Sequence, residues 1–105
     1  MTEAALGPSS SGSVVLELGP EVGALILHTP PELDRAEIEI SARRRRAWPR
    51  THSQVRQRYT ANGVQYAAVY PNLPAGEYII WRDATTCAAV VTVVGGQVTT
   101  QRWPD

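Results

Sequence analysis

The chain is a series of short runs in which apolar residues either alternate with polar ones or stand together, and Gly, Pro and Asn separate one run from the next. Runs of this length at roughly even spacing are typical of an all-β sandwich or barrel. No stretch repeats apolar residues at the 3.6-residue period of a helix, so we expect at most one helical turn, near residues 31–35. We predict a small antiparallel β-sandwich of seven or eight strands, at residues 14–18, 23–28, 36–41, 53–59, 64–70, 77–82, 87–94 and 98–103.

Alternation within the third and fourth predicted strands assigns their side chains to opposite faces of the sheet. In the third, two isoleucines point to the core and the glutamates between them point to solvent. The fourth has Val55 and Tyr59 on one face. Its arginines, Arg56 and Arg58, lie on the other face. If the two strands form a hairpin, these arginines face the glutamates, and each such exposed pair adds only about 0.2–1 kcal/mol.

The clearest hairpin signal is Asn62-Gly63, because both residue types tolerate the positive φ that two-residue hairpin loops require. It joins the runs 53–59 and 64–70, which we expect to pair. The second of these runs has small or apolar side chains on both faces, so we expect it near the middle of a sheet.

A turn is also predicted at residues 71–76, where Pro71, Pro74 and Gly76 restrict or relax the backbone at fixed places. We expect this turn, together with Tyr78, to stabilise the fold and to bind no ligand. If Gly76 has a positive φ, a β-branched residue is strongly disfavoured there.

The sequence Leu-Pro-Ala-Gly-Glu-Tyr at 73–78 is followed by Trp81, an apolar strand, and Gly-Gly-Gln-Val-Thr-Thr-Gln-Arg-Trp at 95–103. This C-terminal pattern resembles the carboxypeptidase-regulatory-like domain family, also called prealbumin-like or transthyretin-like. The resemblance implies a prealbumin-like β-sandwich. It also implies a role as an adaptor or appendage of other proteins, and it brings no catalytic motif.

Composition indicates one folded domain. A chain of 105 residues with 43% hydrophobic residues can bury its own core, and 19% charged residues is too few for a disordered chain. Residues 1–13 are expected to be a flexible tail and residues 14–105 the β-sandwich domain. No apolar run approaches the roughly 20 residues that span a bilayer, so no membrane partner is expected. Without a secretory signal pattern, and with one cysteine, we expect a cytoplasmic protein.

Charge is distributed unevenly although the net charge is zero. Residues 1–40 contain seven acidic residues and one arginine, whereas residues 41–60 contain seven arginines and no acid. Four consecutive arginines with a nearby tryptophan can hold an anion or nucleotide by charge and stacking, although the segment can equally be a solvated loop. The neutral net charge argues against nucleic acid. The candidate residues for binding an anion or a partner are Arg43, Arg44, Arg45, Arg46, Trp48 and Arg50.

No catalytic or metal-site motif is present. His28 and His52 lack the close spacing of paired metal ligands. Cys87 opens an apolar run, so we expect a small core residue there and no nucleophile. The chain also lacks the C-terminal Tyr-Arg-Gly-Ser signature of the hydroxyisourate hydrolases, which share the prealbumin-like sandwich. We therefore expect no enzyme activity, no metal and no cofactor.

The remaining interpretation is an interaction module. Trp81 and Trp103 lie in predicted strands and are expected in the core or at its edge, although carbohydrate-binding sandwiches use exposed tryptophans to stack on sugars. We predict a non-enzymatic protein-interaction or structural module with an unidentified protein partner, and self-association into a homo-oligomer stays open. The alternative is an anion- or carbohydrate-binding module that uses residues 43–50, including Trp48.

Overall fold

The computed structural model describes residues 19–44 and 49–104, which form eight β-strands and one 3-10 turn. The expected tail at 1–13 and the expected strand at 14–18 lie outside the described residues. The 3-10 turn, Pro31–Leu33, occurs where the single helical turn was expected. The strands are β1 (Val22–Thr29), β2 (Glu37–Ala42), β3 (Thr51–Gln54), β4 (Arg56–Thr60), β5 (Gly63–Pro74), β6 (Gly76–Trp81), β7 (Cys87–Val93) and β8 (Val98–Arg102).

The described strands form two four-stranded sheets that pack face to face. Sheet A has the order β4-β5-β1-β8, and sheet B has the order β3-β2-β6-β7. Every neighbouring pair is antiparallel except β1 and β8, which run parallel. The prediction of a small all-β sandwich is confirmed, and the β1–β8 pair is its departure from purely antiparallel sheets. Across the described ranges, we find no helix of the length and apolar character that a membrane crossing demands.

β8 reaches its place beside β1 through the tight turn at Gly95-Gly96. The amide of Gly96 donates to the carbonyl of Val22 at 2.9 Å, which ties the turn to the start of β1. A Cβ on Gly95 would collide with the carbonyl of Pro20, so this close approach requires glycine.

The hydrophobic core lies between the sheets and is built from alternating positions of the strands. The inward isoleucines of β2 are buried and its glutamates are exposed, as the alternation predicted. Burial of each aliphatic side chain contributes about 1.5–3 kcal/mol, so these layers supply most of the stabilisation. The largest fully buried side chains are Leu25, Leu27, Ile40, Val55, Ile80 and Val93.

The prediction of one strand at 53–59 is wrong, because the chain changes sheets at Val55. Val55 is fully buried, its amide donates to the carbonyl of Ala36, and its own carbonyl accepts from the amide of Arg35. Residues before it form β3 at the edge of sheet B, and residues after it form β4 at the edge of sheet A. The Val55 side chain lies in the core while the backbone crosses between the sheets, so the sequence pattern around Val55 does not reveal the end of one strand and the start of the next.

The expected pairing of the β2 glutamates with Arg56 and Arg58 is therefore also wrong. Both arginines belong to β4, in the other sheet. β2 does pair with the strand that follows residues 43–50, as expected. That strand is β3, in which His52 lies opposite Glu39.

The predicted hairpin between β4 and β5 is confirmed, but its two-residue loop is Ala61-Asn62, and Gly63 is the first residue of β5. β4 and β5 pair with Thr60 opposite Gly63, whose φ is 107°. The Thr60 hydroxyl accepts from the amide of Asn62 at 3.1 Å and donates to the carbonyl of Gly63 at 2.9 Å. Of Asn62 and Gly63, only the glycine has a positive φ. β5 lies inside sheet A, as expected.

The predicted turn at 71–76 is shorter than expected, because β5 continues through Pro74 alongside β1. Val22 lies opposite Pro74, and the turn is reduced to Ala75 before Gly76 begins β6. Gly76 has a φ of 148°, which confirms its expected positive φ. The Tyr78 hydroxyl donates to the carbonyl of Pro74 at 2.6 Å and so closes the turn.

The expectation that Cys87 is a core residue is wrong. Its thiol is exposed at the first position of β7, opposite Trp81, where the register between β6 and β7 is irregular. The buried part of β7 begins later, at Val91 and Val93. Cys87 lies on the same face of β7 as Val91 and Val93, but it is beyond the edge of the core.

Candidate functional site

The arginine-rich residues 43–50, here called the arginine segment, follow β2 and precede β3 in the sequence. At its first end, the amide of Arg43 donates to the carbonyl of Glu77 at 2.8 Å, and the Arg43 guanidinium donates to the Glu77 carboxylate at 3.0 Å. Arg44 reaches the same carboxylate only at 3.9 Å, and its side chain is 86% exposed. One carboxylate of β6 therefore serves two guanidinium groups.

Arg50 holds the other end of the arginine segment. Its guanidinium donates to the Glu39 carboxylate at 2.9 Å and to the carbonyl of Ala84 at 3.0 Å. It also lies over the ring of Trp81, 3.9 Å from the ring centre. The indole N–H of Trp81 donates to the hydroxyl of Ser41 at 2.8 Å, which fixes the ring in place. Arg50 is thus an anchoring residue as much as a candidate for binding.

The remaining candidates, Arg45, Arg46 and Trp48, lie outside the described residues. The structure brings Arg43 and Arg44 together at Glu77 and places Arg50 separately at Glu39. In sequence the segment holds five arginines and no acid. The two glutamates that meet its described arginines therefore balance only part of its charge.

A small cleft of about 230 Å³ lies beside Arg50, between β2, β3 and the β6–β7 connection. His52 Nδ1 lies 3.5 Å from the Glu37 carboxylate at its edge. Asp83 accepts the amides of Thr85 and Thr86 at 2.9 and 2.8 Å, and these hydrogen bonds lower the pKa of its carboxyl group. Asp83 therefore stabilises the turn between β6 and β7. Its lowered pKa results from these hydrogen bonds within the turn and does not indicate a binding site.

Metal ligation was not expected, and within residues 19–44 and 49–104 no three His, Cys, Asp or Glu side chains are grouped closely enough to hold an ion. Each of the two described tryptophans has an arginine over its ring. Arg82 lies 5.3 Å from the ring centre of Trp103, and Arg50 covers Trp81. These ring faces are occupied within the fold, which limits both residues as sugar-stacking platforms.

A second candidate surface, which the sequence patterns did not single out, lies on the outer face of sheet A. It is a cavity of about 400 Å³, here called the outer-face cavity. Its lining includes apolar side chains of three strands, the two basic side chains His28 and Arg58, and several uncharged polar groups. The signal that could have revealed it was the apolar character of both faces of β5.

Arg58 is 8% exposed, although its sequence position suggested a solvated side chain. Its Nε donates to the carbonyl of Ala67 on β5, at 3.4 Å. Burial, with a smaller effect of the neighbouring Arg56 charge, lowers the pKa of the Arg58 guanidinium. Burial also lowers the pKa of His28, and the charges of Arg102 and Arg58 add to this effect. Because its pKa is lowered, the His28 imidazole is uncharged at neutral pH, and Arg58 is the charged side chain among the described lining residues.

Comparisons of this chain with models of protein families, with curated proteins and with solved structures find no match.

Proposed function

We propose that this protein is a non-enzymatic interaction module of the prealbumin-like β-sandwich type, and that its arginine segment binds an acidic region of a partner protein. The observation that carries this proposal is the shared carboxylate at Glu77. Two arginines compete for one acid, and Arg44, which is 86% exposed, obtains only a 3.9 Å contact. An incoming carboxylate can give Arg44 the short bidentate contact that the fold does not supply.

The anchoring of the segment supports the same proposal. Arg43 is hydrogen-bonded to β6 at one end, and Arg50 is held by Glu39 and Trp81 at the other. Arg43 and Arg50 are therefore already held against sheet B, which reduces the conformational entropy that these two side chains lose on binding. Electrostatic attraction by clustered arginines also raises the rate of encounter with an acidic surface.

The resemblance of residues 73–103 to prealbumin-like domains favours an adaptor role over catalysis. A single cysteine and a core formed without disulfides suit the cytoplasm, which we include in the proposal. An anion-binding module is the alternative, since small anions would use the same arginines. A saccharide site receives less support, because Trp81 is already stacked against Arg50.

The proposal can be tested with poly-L-glutamate as a simple acidic polypeptide, by titration calorimetry at increasing salt. The wild-type protein should bind, and added salt should weaken binding because the contacts are exposed. The double variant R44S/R45S should lose most of this affinity. The matched control is R56S/R82S, which removes the same charge from exposed sites elsewhere and should bind nearly as well as the wild type.

Equal losses in the two double variants would show unspecific charge attraction and would contradict the proposal. Titration with sodium phosphate and with a neutral dextran separates the alternatives. Binding of phosphate or dextran that R44S/R45S abolishes, without binding of poly-L-glutamate, would replace the acidic-protein proposal by the small-ligand alternative.

A further inference from the structure

The outer-face cavity has an apolar floor where a solvated sheet normally carries polar residues. The floor is formed by side chains on the side of sheet A that is turned away from the core. Ile26 of β1 lies opposite Val69 of β5 on one side and Thr100 of β8 on the other, while Ala67 and Val98 extend the floor along their strands. Antiparallel sheets with one face in water usually alternate apolar and polar positions, and these positions break that rule.

Uncharged polar side chains lie at one end of this floor, beside the hairpin that joins β4 to β5. Asn62 is in the hairpin loop, Gln65 is on the first turn-proximal part of β5, and His28 lies opposite Ala67. In the described part of the chain, no hydrogen bond joins the side chains of Asn62, Gln65 or His28 to another residue. Amide and neutral imidazole groups both donate and accept hydrogen bonds, so this end of the cavity can bind an uncharged polar group.

The charge in the cavity does not favour a charged ligand. The Arg58 guanidinium is already engaged by the fold, since it donates to the carbonyl of Ala67 and has a further partner. An anionic head would lose its hydration there without a free cation to replace it. A cationic head would be repelled by Arg58, and none of the described lining residues is acidic. A neutral head avoids both costs.

We infer that the outer-face cavity binds a small uncharged amphipathic molecule, with an apolar body over Ile26 and Val69 and a hydroxyl or amide group hydrogen-bonded to Asn62 or Gln65. A volume of about 400 Å³ is within the range of small-molecule sites, which typically combine an apolar lining with a few placed polar groups. The site is separate from the arginine segment, which lies between two strands of sheet B, and does not depend on the function proposed for that segment.

The test uses four probes in NMR titrations of the isotope-labelled wild-type protein. Octan-1-ol has both the neutral head and the apolar body. Octanoate and octylammonium carry a negative and a positive head, and ethanol lacks most of the body. Octan-1-ol should shift the backbone resonances of Ile26 and Val69 and the side-chain amide resonances of Asn62 or Gln65. The other three probes should bind at least about tenfold more weakly, because each introduces a charge or loses apolar area.

Variants that fill the cavity locate the site. Val98 lies in the lining and is 46% exposed, so Val98→Trp adds bulk over the floor without entering the core. It should weaken octan-1-ol binding by at least about tenfold, because close-packed side chains leave no room for the probe. Thr100→Trp fills the same cavity from a second position and should have the same effect. The matched control is Val90→Trp on β7 in sheet B, where Val90 is 45% exposed, and it should bind like the wild type.

The probe series uses the wild-type protein and is decisive even if a tryptophan variant fails to fold. Absence of octan-1-ol binding would overturn the inference, and so would octanoate binding as tight as that of octan-1-ol, which would show a free cation. Shifts centred on residues outside the cavity, or side-chain amides of Asn62 and Gln65 that do not respond, would also overturn it. So would equal losses in the Val98→Trp and Val90→Trp variants. Since R44S/R45S leaves this site intact, its octan-1-ol binding should be unchanged.

Discussion

Gly76 is the residue whose backbone conformation most directly limits what the sequence can contain. Its φ of 148° is one that side chains with a Cβ rarely adopt, yet a Cβ built there has no heavy atom within 4 Å. Strain at this position therefore comes from the backbone alone and not from crowding. This separation allows a clean mutational test.

Replacing Gly76 with valine should lower the free energy of unfolding by about 1–3 kcal/mol, because a β-branched residue is strongly disfavoured at this φ. Urea denaturation followed by tryptophan fluorescence measures the loss. Gly19→Val is the matched control, since Gly19 also has open space around its Cβ position but no positive φ, and it should change stability little. A Gly76→Val protein as stable as the wild type would show that the turn is not constrained by this residue.

Single-residue expectations from the sequence succeeded where local chemistry decides the outcome. The positive φ of Gly76 and that of Gly63 at the hairpin follow from turn preferences that act over a few residues. Cys87 and Arg58 were misplaced because their burial depends on where the core ends and on which sheet a strand joins. Neither property is encoded in the neighbouring residues.

At the scale of elements, a buried tyrosine forms one of the hydrogen bonds that join the two sheets. Tyr70 of β5 is 2% exposed, and its hydroxyl donates to the carbonyl of Ile38 on β2 at 2.7 Å. Burial, with a smaller contribution from the Glu37 charge, raises the pKa of Tyr70, so the hydroxyl stays protonated and remains a donor. β2 and β5 belong to different sheets, so this bond contributes to their relative position, together with the hydrogen bonds between Ser53 and Val69.

Replacing Tyr70 with phenylalanine should cost about 1–3 kcal/mol of stability, because it leaves the buried carbonyl of Ile38 without this donor while the ring is retained. Tyr59→Phe is the matched control: its side chain is 59% exposed and should change stability by less than about 0.5 kcal/mol. Equilibrium denaturation of both variants provides the comparison. Equal stabilities would mean that the cross-sheet bond adds nothing beyond packing of the ring.

The strand pattern shows how far element prediction extends. Strand positions followed from alternation, but the assignment of strands to sheets did not. The sequence pattern predicts one strand at residues 53–59 with Val55 and Tyr59 on one face, yet Val55 carries the chain from sheet B to sheet A. The parallel placement of β8 beside β1 is equally invisible locally, because it depends on a turn packing against Pro20. Both are properties of the assembled sandwich.

On the scale of the whole molecule, the sequence shows where the charged residues are concentrated. It does not show which acidic residues pair with the arginines. The cluster of arginines at 43–50 is plain in the composition of that region. Its partner Glu77 lies 34 residues away along the chain, and the stacking of Arg50 on Trp81 joins β6 to the segment. The lining of the outer-face cavity comes from all four strands of sheet A, so no local pattern could define it.

The arginine segment should accordingly divide into residues that hold the fold and residues that do not. Among the arginines at 43–46, the described ones, Arg43 and Arg44, make an exposed ion pair and a long 3.9 Å contact, and exposed pairs contribute at most about 1 kcal/mol each. The melting temperature of the quadruple variant with serine at positions 43–46 should stay close to that of the wild type. Arg50→Ser removes an ion pair, a hydrogen bond to a backbone carbonyl and a cation–π contact together, so it should cost about 1–2 kcal/mol.

Differential scanning calorimetry of the two variants measures their stability, and titration with poly-L-glutamate measures their binding. The variant that is more stable should be the one that binds less. The quadruple variant should be stable and unable to bind, whereas Arg50→Ser should be less stable and retain most of its binding. A large loss of stability on replacing residues 43–46 would show that these arginines are satisfied inside the fold or by a neighbouring subunit. In that event the positive charge of the segment would serve folding or assembly, and the acidic-partner proposal would lose its basis.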